Sequence, residues 1–124
     1  ADIAGFVIPL CATIHLSGST ITLTSCAMAV MVMTNQSIGF GKMFPFILML
    51  GVTMVAAPGV PGGAVMAALG ILQSMLGFDE TMCGLMIALY IAQDSFGTAC
   101  NVTGDGAIAV FMDAITGKKK AAAK

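Results

Sequence analysis

Most of this chain carries no charge. No Asp, Glu, Lys or Arg stands between Asp2 and Lys42, none between Lys42 and Asp79, and none between Glu80 and Asp94. A soluble domain carries about 25% charged residues. Here 9% are charged, 58% are hydrophobic and the mean hydropathy is +0.99. A spanning helix takes about 20 apolar residues, so the chain has room for about three membrane passes. Such a composition is that of a membrane protein, and no nucleic acid partner is expected.

The few cations are placed unevenly. Four of the five lysines lie in "GKKKAAAK" at the C-terminus. Lys and Arg clusters beside a span mark the cytoplasmic side, so the C-terminus reads as cytoplasmic; a merely solvated tail would carry no sidedness. The chain opens on Ala1 without a basic leader and cleavage site, and reads as a segment of a longer protein. The four cysteines, Cys11, Cys26, Cys83 and Cys100, show no metal-ligand spacing and read as small apolar packing residues. The eleven methionines read as apolar filler. The sequons at Asn35 and Asn101 are set aside, the second because it falls within a span.

The expected fold is that of an all-α membrane protein. Residues 5–34 are apolar but interrupted by "IHLSGST", which predicts a broken transmembrane helix with its break near His15 to Gly18. Irregular backbone at membrane depth is tolerated only where protein or a wet cavity covers it. A loop at 35–44 leads into a second apolar segment, 43–78, cut by "APGVPGG" from Ala57 to Gly63. Two prolines and three glycines cannot continue a helix. Each limb is about 20 Å long, short of a 30 Å hydrocarbon core, which predicts a re-entrant helical hairpin rather than two spans. "GFDE" follows, then a long final transmembrane helix over 81–116 and a basic cytoplasmic tail at 117–124.

The final helix carries the chemistry. Asp94, Thr98, Asn101 and Asp105 stand at i, i+4, i+7 and i+11. At about 100° per residue they share roughly 60° of arc, a single polar stripe. A charge at the bilayer centre costs at least about 2.5–3.5 kcal/mol, so two carboxylates there call for partners or a task. A structural network between helices would account for Asn101 and Thr98, but the spans hold no Lys or Arg to neutralise the aspartates. A bound cation or a ligand ammonium would. Carboxylate and carbonyl oxygens suit a hard cation such as Na⁺ or Ca²⁺, and interrupted helices supply unpaired carbonyls at transporter sites.

"FVIPLCATIHLSG", "APGVPGG" and "DSFGTACNVTGD" together resemble, in order, three signatures of the dicarboxylate/amino acid:cation symporters, the glutamate transporter family. Those signatures are the P-L-G-A-T-x-N-M-D-G break, the G-V-P-G hairpin tip and the D-x-x-R-T-x-x-N-V-x-G-D stripe. The resemblance spans almost the whole chain. It implies the C-terminal part of a transport domain, namely the broken seventh helix, second hairpin and eighth helix of a partial elevator domain. The full-length protein would be a multi-pass homotrimer of the plasma (inner) membrane. It would take up an amino acid or dicarboxylate with Na⁺ as coupling ion.

Carried over by position, the resemblance implies one Na⁺ site from the Asp105 carboxylate, the Asn101 carbonyl and carbonyls near Cys11 and His15. A second would use carbonyls at Thr13, Met54, Val55 and Ala57. Asp94 would take the substrate ammonium, while Thr98 and Asn101 would hold its carboxylate side. Ser19 would line the substrate site, and Val60, Pro61, Gly62 and Gly63 would close over it.

Three positions depart from the family pattern. Gly97 stands where acidic-amino-acid carriers have arginine, so a substrate's second carboxylate would lack a partner and a neutral amino acid is favoured. By this reasoning Gly97→Arg would shift preference toward aspartate. Ser17 replaces the aspartate of the break and His15 its asparagine. His15 reads as a neutral histidine giving a hydrogen bond, with H⁺ carried in place of one Na⁺ as the alternative. Other classes are a channel, a structural membrane subunit or an intramembrane aspartyl protease. The protease pattern G-x-G-D is broken here by Val102 in "VTGD", and its two aspartates would face each other from different helices.

Overall fold

The computed structural model describes the backbone over residues 2–122 and the side chains over 3–116. The lysine-rich tail at 117–124 therefore lies outside the described side chains. The described residues form five α-helices and no strand: α1 (Asp2–Ile14), α2 (Ser17–Met33), α3 (Phe40–Val55), α4 (Gly63–Leu76) and α5 (Glu80–Ala122).

Each join has a local cause. Between α1 and α2 only His15 and Leu16 leave helical geometry. His15 N–H still donates to Cys11 C=O at 2.8 Å, and Leu16 C=O already accepts from Thr20 at 2.9 Å. The interruption is thus a reorientation at Leu16 (φ −115°, ψ 46°) rather than a loop. It is shorter than the expected one, because Ser17 and Gly18 already belong to the first turn of α2.

The α3–α4 join covers residues 56–62. Gly62 sits at φ +73°, a left-handed conformation that glycine adopts without the Cβ penalty. Gly63 lies so close to Pro58 C=O that a Cβ there would collide with it.

α4 ends in a left-handed glycine cap. Gly77 (φ +74°) donates to Gln73 C=O at 3.1 Å and Phe78 to Leu72 C=O at 3.2 Å, with Phe78 buried as the cap's apolar contact. Asp79 then caps α5, its Oδ1 accepting from Met82 N–H at 2.8 Å. Lys42 Nζ reaches Leu76 C=O at 3.1 Å, tying the start of α3 to the end of α4; a cation suits the unpaired carbonyls of a helix C-terminus.

Packing follows the 3.6 period. Leu23, Ala27, Val30 and Met31 of α2 meet Phe46, Leu50 and Met54 of α3, Val65, Ala68, Leu72 and Leu76 of α4, and Met82, Met86 and Tyr90 of α5 in one core. A smaller cluster joins Val7 and Cys11 of α1 to Ala109 of α5. α5 is thus the spine: α1 and α2 lie along it, and the α3–α4 hairpin packs on α2 and on its first half.

The closest approach is between α2 and α5. A Cβ on Gly18 would collide with Gly97 C=O and stand 2.6 Å from Cys100 Cβ, so only glycine lets the backbones meet there. The outer faces carry large apolar side chains that no other helix covers, and Phe6, Phe40 and Phe96 are each at least 70% exposed. By length and composition, Ile3–Met33 is the one stretch among the described residues apolar and long enough to cross a membrane, while α3 and α4 are shorter apolar helices.

Candidate functional site

α5 turns its polar stripe toward the two interruptions. A cavity of about 1100 Å³ opens between the α1–α2 join, the α3–α4 turn and the middle of α5. Thr13, Ser19, Val55, Ala57, Val60, Pro61, Asp94, Thr98 and Asn101 all line it, so the fold brings together most positions singled out in the sequence.

Among the described residues Asp94 is the one charged side chain lining the cavity. Its Oδ2 accepts a hydrogen bond from the Gly62 N–H at 3.0 Å. The left-handed φ of Gly62 turns this amide toward α5, so the hairpin tip is fastened to the stripe through backbone. Thr98, one turn on, is exposed to the cavity. Thr103 commits its hydroxyl to its own helix, on Ala99 C=O at 2.8 Å; among the described residues Thr98 makes no such bond, which leaves its hydroxyl for a ligand.

Asn101 has another occupation. Its Oδ1 accepts from Gly18 N–H at 2.8 Å, and its Nδ2 donates to Ser19 Oγ at 2.9 Å. Asn101 and Ser19 are both buried. The amide satisfies one of the orphan donors at the start of α2 and fixes that helix against α5. Ser19 reaches the cavity while held by this bond.

Asp105 is buried as well, and its Oδ1 lies 2.8 Å from His15 Nδ1. A carboxylate only accepts, so Nδ1 carries the proton of this bond. The Cε1 edge of the imidazole points at Gly104, where a Cβ would stand 2.5 Å from Cε1. The interrupted helix and the stripe thus meet twice, at Asn101 with Gly18 and at Asp105 with His15.

The proposed cation ligands are only partly gathered. Thr13, Val55 and Ala57 face the same cavity. Met54 keeps its side chain in the core and its carbonyl on Ala57 N–H at 3.1 Å. Cys11 is buried in the smaller cluster, its carbonyl already accepting from His15. Asp105 keeps Oδ2 available beside an Oδ1 held by His15. Carboxylate and carbonyl oxygens remain the donor set, which is the chemistry of a hard cation; among the described residues no cluster of three or more His, Cys, Asp or Glu forms.

Gly97 is placed differently from what a substrate-reading position needs. It is buried, and an added Cβ would point at α2, 3.3 Å from Thr22 Oγ1 and 3.4 Å from Ser19 N. Gly62 and Gly63 are buried in the turn, while Val60 and Pro61 form the cavity wall.

Sequence reasoning passed over Tyr90. It stands four residues before Asp94 and extends the stripe by one turn. The chain has a single tyrosine, and that rarity together with the i−4 spacing was the available signal. Gly104 and Gly18 were also missed, because what makes them necessary is a neighbour from another helix.

Comparison with known proteins gives the chain a family. Residues 1–115 match the family model described as "Sodium:dicarboxylate symporter family". Curated relatives include mouse "Excitatory amino acid transporter 5", 29% identical over 110 residues, which are 89% of this chain and 20% of that protein. Human "Neutral amino acid transporter A" is 28% identical over 103 residues, 83% of this chain and 19% of that protein. Human "Neutral amino acid transporter B(0)" is 26% identical over the same length. The chain thus spans about a fifth of the length of these relatives, which by name are transporters rather than enzymes. No solved structure matches. With the family model covering all but the last residues, and the interrupted helix, hairpin and stripe meeting at one cavity, the chain belongs to the sodium:dicarboxylate symporter family.

Proposed function

We propose that this chain is part of the moving domain of a Na⁺-coupled symporter for an amino acid, a neutral one in preference to a dicarboxylate. The observation that carries the reading is the bond between Gly62 N–H and Asp94 Oδ2, 3.0 Å, which joins a hairpin tip to a carboxylate of α5 beside a cavity.

A substrate ammonium is a stronger partner for Asp94 than a neutral amide. It would take the carboxylate over, and the tip would settle on the substrate instead of on α5. The lengths of α3 and α4, 16 and 14 residues, give about 24 and 21 Å, which supports a re-entrant hairpin over two full spans. Asp105, with Oδ2 available, would bind Na⁺ as co-transported cargo, and backbone carbonyls of Thr13, Val55 and Ala57 at the cavity wall would hold a second ion. H⁺ carried on His15 in place of one Na⁺ is the alternative coupling. The neutral preference rests on the lack of any Lys or Arg among the described residues lining the cavity and on the names of two relatives. The elevator movement, the homotrimer, the plasma membrane and the cytoplasmic C-terminus follow from the family resemblance.

The test is uptake of labelled L-serine and L-aspartate by the full-length protein in proteoliposomes, under an inward Na⁺ gradient, an inward proton gradient or neither. Na⁺-driven serine accumulation with little aspartate uptake supports the reading. Aspartate accumulation overturns the neutral preference, proton-driven uptake without Na⁺ moves the coupling to His15, and no accumulation under either gradient overturns the symporter reading.

A further inference from the structure

Tyr90 is wholly buried, yet its hydroxyl has no hydrogen-bond partner among the described residues. Buried phenol groups normally find one. The Ser19 hydroxyl and the Asp94 carboxylate lie beside it without reaching hydrogen-bond geometry. Ser19 already accepts from Asn101 Nδ2, and Asp94 already accepts from Gly62 N–H. The ring borders the cavity together with Leu16, Ser19, Asp94 and the hairpin tip. The orphan hydroxyl is closed off in this state, beside the corner of the cavity where the ammonium of the proposed substrate would sit.

The position restricts what could complete it. Tyr90 is one helical turn before Asp94, about 6 Å along the axis. A substrate whose ammonium rests on Asp94 brings a short side chain, and not a long one, within reach of the phenol. Among the described residues no Lys or Arg lines the cavity, so a second carboxylate would lie beside Asp94 without a cation from them. A neutral hydroxyl has neither difficulty: it can donate to or accept from the phenol and adds no charge. The Gly62–Asp94 bond shuts the tip over this corner, so the pairing forms only once the tip has lifted and re-closed on a substrate.

We infer that Tyr90 is a specificity-determining residue that reads a short hydroxyl-bearing side chain on the substrate, favouring hydroxy amino acids over their purely apolar counterparts. This rests on the amino acid symporter reading above. A site built to hydrogen-bond a substrate hydroxyl discriminates strongly against the analogue lacking it, because its own buried group is then left unpaired.

The experiment compares L-serine with 2-aminobutyrate, in which a methyl replaces the hydroxyl, on full-length protein in proteoliposomes, wild type and Tyr90→Phe. The expected wild-type ratio of kcat/KM favours serine by ~10-fold or more, and Tyr90→Phe brings that ratio close to one, chiefly through loss on serine. An unchanged ratio in a transporting Tyr90→Phe protein overturns the inference. Should that variant not fold, equilibrium binding to wild-type protein decides: equal affinity for the two ligands overturns the inference, and tighter serine binding supports it. Wild-type protein that transports amino acids without preferring serine sinks this inference alone, whereas a lack of any Na⁺- or proton-driven uptake sinks the symporter reading and this inference with it.

Discussion

Removing the Asp94 acceptor should loosen the hairpin tip by an amount the structure allows one to estimate. The tip, residues 56–62, is held to α5 by a backbone hydrogen bond to a carboxylate, Gly62 N–H to Asp94 Oδ2 at 3.0 Å, with Ile91 of α5 standing 3.4 Å from where a Cβ on Gly62 would lie. A hydrogen bond to a charged group contributes roughly 1.5–3 kcal/mol net, a neutral one about 0.5–1.5. Asp94→Ala deletes the bond and should raise the open fraction of the tip by about 2 kcal/mol, roughly 30-fold. Asp94→Asn keeps a neutral acceptor and should raise it by about 1 kcal/mol, roughly fivefold. Hydrogen–deuterium exchange of the full-length protein without substrate measures this directly, because exchange at Gly62 follows the local opening equilibrium. The order Ala above Asn above wild type should appear at residues 56–63, with the exchange of 68–76 in α4 unchanged. Wild-type protection at the tip in Asp94→Ala would show that packing alone holds the hairpin shut and would refute the reasoning. Accelerated exchange spread evenly over α3 and α4 would refute it too, since the hairpin would then be unfolding rather than lifting.

Other outcomes follow from the same contacts. Asn101→Ala leaves the Gly18 N–H and Ser19 Oγ without their partner, so thermal denaturation should show a loss of about 1–3 kcal/mol. Gly18→Ala forces a Cβ into Gly97 C=O and should cost about 1–3 kcal/mol by overpacking; a wild-type melting temperature would mean that α2 can shift freely along α5. Asp105→Asn should weaken the Na⁺ dependence of uptake more than Asp94→Asn does, read from the half-saturating Na⁺ concentration, and equal values in both variants would remove Asp105 from the cation site.

Some of this architecture is set by covalent chemistry and solvent alone. The chain has too few charges to fold in water, so helices with apolar outer faces follow directly. "APGVPGG" cannot be helix, whatever surrounds it, and the turn at 56–62 falls where those residues stand. The stripe from Asp94 to Asp105 is a matter of helical period, and the resemblance to a symporter family was visible in the motifs themselves.

Tertiary structure decided what each polar group is for. Asn101, expected to hold substrate and cation, is turned to the start of α2, because the Gly18–Gly97 contact brings unpaired amides to its side chain. Gly97 reads in sequence as a missing arginine; in the fold it is also one half of that contact, facing Thr22 and Ser19 rather than the cavity. Tyr90 reads as one more apolar residue of α5 until the hairpin and α2 enclose its ring and leave its hydroxyl without a partner. Period and composition fix which face of a helix a residue occupies. Which neighbour it meets there depends on how closely the backbones approach, and that is a property of pairs of helices that no single segment encodes.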